Sequence, residues 1–365
     1  MKKIYILVIT FLVISTITNA QERLIDASDN LPISAASILD AAGNMVGFTL
    51  TDGSFSEIPP TAYPITISCV GYERLIIESP ENKAWKMTPM VYELDEVVIA
   101  PVDRNILKQT FYVREYFSVS SPSDTVTFFL EHMANRFVPI SDNARFRGNK
   151  SLRKLSSRCY ASYNVADKDS VAKDPEQDFP SIISVSFLEE KEVKAPEDFT
   201  SSIDGTRLYE EPGKSGMFLV QKQNSQTFTT TTDGLAKEDD HAYSPWALKP
   251  IGCSMTFRQL YKTEVYRTNE DGIYQPQDLI EASFVMEADG KGWLLRNIVN
   301  SKEPVTIYSM LEIYTVENKF LSGERAKEEY RNPPTDVQFV VPENAPALNA
   351  ATLRLIERAN AIEQQ

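Results

Sequence analysis

Residues 38–72, ILDAAGNMVGFTLTDGSFSEIPPTAYPITISCVGY, decide the fold of the first part of the chain. They include β-prone runs at 45–50 and 65–70, and a third run, Ser37–Leu39, overlaps their start. The glycine of Gly43-Asn44 tolerates positive φ, which suits the turn of a hairpin. Short strands at close spacing, with Gly, Pro and Asp between them, predict a small antiparallel sandwich.

The same stretch and its flanks resemble a known family. The residues that carry the resemblance are Leu24-Ile25-Asp26, Leu31-Pro32-Ile33, Ala36, Gly53-x-Phe55, Val70-Gly71-Tyr72 and Leu94-Asp95-Glu96-Val97-Val98. On these motifs, residues 21–100 resemble the carboxypeptidase D regulatory-like domain, a prealbumin-like β-sandwich of secreted and outer-membrane proteins of Bacteroidetes. The chain departs from the family at Glu22, where a glycine is usual. The resemblance implies an accessory, non-catalytic module, since a peptidase would need a zinc domain of its own.

The N-terminus has the pattern of a secretory signal peptide. Met1-Lys2-Lys3 is followed by an apolar run at 4–17 and by small and polar residues that end at Ala20. This pattern predicts a signal peptide at 1–20 with cleavage after Ala20. Gln21 follows instead of a lipid-accepting cysteine, and no later run is apolar enough to span a bilayer. We therefore expect a periplasmic, outer-membrane-associated or secreted protein with no transmembrane segment in the mature chain.

The composition argues against one class of partner. The chain has 51 acidic and 37 basic residues, a net charge of −14. A protein this acidic repels nucleic acid, so we expect no nucleic-acid partner. Six basic residues between 145 and 158 form a local exception, which is interpreted either as a solvated face or as a partner surface.

The pattern of residues 101–343 predicts a second, larger domain rich in β-strands. One segment, 124–137, has apolar residues at helical spacing and Asp124 as an N-cap, so it predicts a helix packed on a sheet. Residues 344–365 predict a terminal helix that begins after Asn344. The predicted strands are 182–188, 216–221, 227–232, 257–267, 279–287, 293–300 and 305–317.

The fold class that follows is mainly β. It combines the N-terminal prealbumin-like sandwich with a larger antiparallel β-sheet or half-barrel, against which one or two helices pack. This layout is compatible with the half-barrels of periplasmic lipoprotein carriers, which hold acyl chains beneath helices, although only the architecture supports that comparison.

The cysteines and histidines limit the disulfide, metal-binding and catalytic chemistry that we expect. An oxidising compartment permits a disulfide among the three cysteines, and Cys159 with Cys253 is the predicted pair. Only two histidines occur, His132 and His241, and neither has the spaced partners that a zinc site requires. A structural role is the first reading for both, and a general base at His241, beside three acidic residues, is the alternative. We expect no metal site, no cofactor and no catalytic residues.

The function predicted from the sequence is non-enzymatic. The first reading is a binding or assembly module whose partner is an outer-membrane or periplasmic protein. The alternative is a carrier of lipid or another apolar ligand in a half-barrel cavity, and a hydrolase is the third reading. Lipid and glycan are the expected small ligands. Aromatic and apolar side chains suit such ligands, and the predicted binding residues are Phe129, Met133, Trp246 and Trp293.

Overall fold

The computed structural model confirms a mainly β fold with two helices in the part of the chain that it describes. That part comprises residues 22–81, 84–92, 104–140, 144, 146, 152–165, 168–175, 188, 193–194, 200–201, 207–210, 217–221, 226–235, 254–268, 273–292, 298–299, 303–334 and 337–363. For the short strands between 193 and 221, only the backbone is described. None of the described helices is long and apolar enough to cross a membrane.

The N-terminal region forms two small sheets around one apolar core. Its strands are β1 (Arg23–Asp26), β2 (Ser37–Leu39), β3 (Met45–Phe48), β4 (Ile65–Ser68), β5 (Leu75–Ile77) and β6 (Ala84–Met87). One sheet has the order β3-β2-β4-β5, and the other pairs β1 with β6. The core between them holds Leu24, Ile38, Phe55, Ile65 and Ile67, all buried. The three strands expected within 37–70 are therefore present. The motif at 94–98 lies outside the described residues.

The larger region is built on one antiparallel sheet of eleven described strands. Its order is β10-β9-β8-β7-β19-β18-β16-β15-β14-β13-β12, which runs from edge to edge without closing. The strands are β7 (Ile106–Ser120), β8 (Thr125–Pro139), β9 (Arg153–Val165), β10 (Lys168–Lys173), β11 (Val193–Lys194), β12 (Thr200–Ser201), β13 (Arg207–Glu210), β14 (Met217–Gln221), β15 (Thr227–Asp233), β16 (Ser254–Arg267), β17 (Ile273–Tyr274), β18 (Leu279–Lys291) and β19 (Val305–Leu321). Strands β11 and β17 are not part of this eleven-stranded sheet but pair with each other.

The helix predicted at 124–137 is wrong, because this segment is strand β8, paired with β7 and β9. Both sides of β8 are buried, with Phe129 and Met133 on one side and Phe128 and Leu130 on the other. A strand buried on both sides loses the alternation of apolar and polar residues, and its apolar positions then also match helical spacing. The β-branched and aromatic residues at 125–129 were the signal for a strand. The half-barrel cavity of the predicted carrier therefore has no covering helix at 124–137.

The two described helices follow the last strand. Helix α1 (Gly323–Arg331) was not predicted, and the Ser322 side chain caps it by accepting a hydrogen bond from the Arg325 amide. Helix α2 (Ala350–Glu363) begins five residues later than the predicted start after Asn344. Its cap is Asn349, whose Oδ1 accepts a hydrogen bond from the Thr352 amide at 2.7 Å. Pro346 disfavours a helical conformation at the residue before it, which accounts for the late start.

The large sheet has two faces, which we name by what covers them. Successive residues of a strand point to opposite sides, so Tyr112, Arg114 and Tyr116 of β7 share one face and Phe111 and Val113 share the other. The first is the docking face, because buried residues of β2, β3 and α2 cluster with Tyr116 on it. The second is the opposite face, where Phe111 and Val113 join a core of apolar side chains.

Candidate functional site

A cleft lies on the docking face between three parts of the chain that are distant in sequence. Its volume is about 450 Å³, within the usual range of small-molecule sites. The β2–β3 turn forms one wall, helix α2 forms another, and strands β7, β8 and β9 form the floor. The described residues that line it are Ala41, Ala42, Gly43, Asn44, Tyr116, Thr127, Phe129, Ser162, Ala351, Thr352, Arg354, Leu355 and Arg358.

The floor of the cleft is aromatic. Tyr116 and Phe129 are almost fully buried, and their ring centroids lie 4.9 Å apart. Phe129 also stacks on Tyr160 of β9, with centroids 6.4 Å apart and an angle of 16° between the ring planes. Aromatic rings held on three neighbouring strands give a rigid apolar surface for a ligand to cover.

The turn wall is fixed by local hydrogen bonds. The Asp40 carboxylate accepts hydrogen bonds from the amides of Ala42 at 2.9 Å and Asn44 at 2.8 Å. Gly43 adopts φ +85°, and a Cβ at this position would lie 2.7 Å from the Cβ of Ala351. The left-handed backbone and the close helix both favour glycine here. The turn therefore abuts α2 and closes one side of the cleft.

The helix wall brings two arginines to the cleft. Arg354 and Arg358 are four residues apart on α2, so they lie on the same side of the helix. Arg354 donates a hydrogen bond to the carbonyl of Ala41 at 3.0 Å and so ties α2 to the turn. Arg358 forms an ion pair with Asp169 of β10 at 3.0 Å, in which both side chains are at least half exposed. The arginines place positive charge at the rim, beside an apolar floor.

A buried charged network occupies the docking face beside the cleft. Its members are the ionisable residues Arg74, Arg114, Glu131, Glu281 and Glu312. Arg114 lies directly opposite Glu131 of β8 on one side and Glu312 of β19 on the other. Its guanidinium donates to the Tyr112 hydroxyl at 3.2 Å and to the carbonyl of Pro346 at 2.6 Å.

Glu281 connects the large sheet to the N-terminal region and to the segment that precedes α2. It accepts hydrogen bonds from the Tyr92 hydroxyl at 2.8 Å, from the amide of Gly71, and from Asn344 Nδ2 at 3.1 Å. Burial raises the pKa of Glu281 to about 7, the hydrogen bonds from Tyr92 and Gly71 oppose that rise, and the nearby charge of Glu312 adds to it. The side chain therefore titrates near neutral pH.

Glu312 and Arg74 extend the same contact. Glu312 accepts a hydrogen bond from the Ser68 hydroxyl at 3.1 Å, and Arg74 Nη2 lies 4.0 Å from its second oxygen. Arg74 also donates to the carbonyl of Ala347. The N-terminal strands and residues 344–349 are thus attached to the sheet by directional polar contacts, which the sequence did not reveal.

The predicted site residues have different positions. Phe129 lies on the floor of the cleft, whereas Met133 does not line it and is buried in a cluster with Tyr112, Tyr314 and Ala345. Trp246 and Trp293 lie outside the described residues.

His132 and Cys159, the described residues considered for other chemistry, lie away from the cleft. His132 is buried on the opposite face, and burial, with the charge of Lys154 adding, lowers its pKa to about 3. Cys159 is half buried, and burial raises the pKa of its thiol to about 12. Cys253 and His241 lie outside the described residues, so the Cys159–Cys253 pairing stays a prediction.

Sequence reasoning missed Tyr116, Arg354 and Arg358 at the cleft and the whole charged network. A signal for the network was present, because Arg114, Glu281 and Glu312 are charged residues within long apolar strands. No comparable signal marks the cleft, whose walls meet only in the folded chain.

Comparison with known proteins identifies no family. No family model and no curated protein sequence matches the chain.

Proposed function

We propose that this protein is a non-enzymatic binding module and that the cleft on the docking face is its ligand site. The observation that carries the proposal is the cleft itself, about 450 Å³ in volume with a floor of two buried aromatic rings. A concave, largely preformed pocket that combines apolar surface with a few polar groups is typical of small-ligand sites.

The lining favours binding over catalysis. The described residues around the cleft include no histidine, cysteine or carboxylate that could act as a base or a nucleophile. Glu281, whose pKa is raised to about 7, is buried in the network, and His132, whose pKa is lowered to about 3, is buried on the opposite face. A ligand in the cleft would not reach either group.

The proposal includes the compartment and the role of the N-terminal region. The signal-peptide pattern at 1–20 supports a periplasmic or outer-membrane-associated location. The resemblance of residues 21–100 to a regulatory-like domain supports an accessory role. In this proposal the N-terminal region supplies one wall of the ligand site through its β2–β3 turn. The predicted role of an apolar carrier keeps support from Phe129, but the cleft is covered by α2 rather than by a helix at 124–137.

Native mass spectrometry tests the proposal. The mature chain, purified from its own compartment without detergent, is expected to carry a small molecule at one copy per chain. Ser162 of β9 lines the cleft, and Ser162→Trp should fill it and lower the occupancy at least tenfold. Ser157→Trp is the matched control, because Ser157 is an exposed residue of the same strand on the opposite face. A bare wild-type chain, or equal loss of ligand in both variants, would contradict the proposal.

A further inference from the structure

We propose that the cleft selects a ligand with an apolar body and a carboxylate end, and that Arg358 binds the carboxylate. This inference rests on the proposed function and adds the chemical class of the ligand. Two features of the cleft carry it: the asymmetric placement of apolar and charged groups, and the different hydrogen-bonding states of the two arginines.

The apolar groups lie at the floor. Tyr116 and Phe129 are buried there, and Leu355 adds an aliphatic side chain from the helix wall. Because Tyr116 and Phe129 are already almost fully buried, a hydrocarbon chain or ring in the cleft gains mainly by removing its own apolar surface and that of the half-buried Leu355 from water. This surface has no preference for charge, so it favours any apolar body of suitable size.

The charged groups lie at the rim, and both are positive. No carboxylate is among the described lining residues, although acidic side chains outnumber basic ones in the whole chain. An anionic end therefore meets attraction at the helix wall, and a cationic end meets repulsion. A neutral polar end gains much less from the arginines than a carboxylate does.

The two arginines have different tasks. Arg354 holds the β2–β3 turn through the carbonyl of Ala41, so it is part of the wall. Among the described residues, the polar partner of Arg358 is an exposed carboxylate, Asp169, and such exposed pairs contribute little to stability. A guanidinium has five N–H donors in a planar fork that matches a carboxylate, so Arg358 can bind a ligand carboxylate in addition to, or in place of, Asp169.

The experiment compares two probes of equal chain length, decanoate and decanol, by calorimetric titration of the full mature chain after removal of any bound ligand. The wild-type chain is expected to bind decanoate about tenfold more tightly than decanol, as a charge-assisted hydrogen bond implies. Arg358→Gln should remove this preference and leave the affinity for decanol unchanged. Arg358→Lys should keep part of the preference. Arg331→Gln, an exposed arginine near the end of α1, is the control and should change neither affinity.

The outcomes separate this inference from the proposed function. If Arg358→Gln leaves the ratio of the two affinities unchanged while Ser162→Trp abolishes both, the cleft is the site but the carboxylate class is wrong. A neutral molecule bound to the chain in the native mass spectrum would also leave the cleft as the site and show that the carboxylate class is wrong. If Ser162→Trp leaves decanoate binding intact, the cleft is not the site and both proposals fail.

Discussion

The two faces of the large sheet are made by alternate residues of the same strands, yet they differ in chemistry. On β7, β18 and β19, the docking face presents Arg114, Glu281 and Glu312. At positions next to these in sequence, the opposite face presents Val113, Ala282 and Ile313. All six side chains are buried. The difference therefore does not arise from exposure to water.

The faces differ because they bury different kinds of neighbour. On the opposite face, Val113, Ala282 and Ile313 contact other apolar side chains, and apolar contacts do not require a particular direction. The docking face packs against the N-terminal region and residues 344–349. These segments contribute the hydroxyls of Ser68 and Tyr92, the side-chain amide of Asn344 and the carbonyl of Pro346. Hydrogen bonds to these groups fix where the two segments lie. We infer that the charged residues of this face position the walls of the cleft.

The largest expected effect comes from removing the central cation of the docking face. Arg114→Met removes the guanidinium opposite Glu312 and leaves this buried carboxylate with Arg74, whose Nη2 lies 4.0 Å away. We expect a loss of about 4 kcal/mol in the free energy of unfolding, measured by denaturant titration.

The double variant Arg114→Met with Glu312→Met is the control for this effect, since it removes both charges and restores apolar packing. It should be more stable than Arg114→Met alone. A loss below about 1 kcal/mol in the single variant, or no recovery in the double variant, would show that the docking face does not depend on charge pairing.

The second effect is the pH dependence that Glu281 gives to the docking face. The pKa of Glu281 rises from its ordinary value of 4.5 to about 7 in the folded chain, so the folded state binds the proton more tightly than the unfolded state. The stability that this group contributes is fully present below about pH 4.5 and is lost as the pH rises through 7. The loss amounts to about 3 kcal/mol.

Glu281→Gln isolates this contribution, because the amide keeps an acceptor for Gly71 and Tyr92 but does not titrate. The difference in unfolding free energy between wild type and variant, measured from pH 4 to pH 8, should shift in favour of the variant as the pH rises. Glu317→Gln, at an exposed position of β19, serves as the reference. A difference that is flat with pH would contradict the assignment to Glu281.

The smallest effect is expected on the opposite face. Ile313→Val removes one methylene from an apolar core and should cost about 1 kcal/mol. The isoleucine side chain forms no hydrogen bond with a titrating group. The loss in the free energy of unfolding should therefore be the same at pH 5 and pH 8. Thermal or denaturant unfolding at both values would show whether the two faces respond as differently as their chemistry indicates.

How far the sequence predicts this structure depends on the range of the interactions. The short strands of residues 37–70 follow from turn residues and alternation, both of which are local, and the sequence predicts them correctly. Strand β8 was misassigned because burial on both faces erases its period of two, so that Phe129 and Met133 also match a helix. The start of α2 was misplaced because Asn344 was taken as the N-cap, whereas Asn349, which follows Pro346, caps the helix.

The candidate site was predicted only in part for the same reason. Phe129 was identified by its chemistry, whereas Gly43, Tyr116 and Arg358 come from three distant parts of the chain and meet only after folding. Local patterns do not encode which of these parts will be adjacent.

Hydrogen–deuterium exchange with and without saturating decanoate locates the ligand site. If the ligand binds in the cleft, backbone amides in the β2–β3 turn, residues 40–45, and in the first two turns of α2 should exchange more slowly. The remainder of the large sheet should be unchanged. Protection that is absent from these two walls while decanoate binds elsewhere in the chain would contradict the claim.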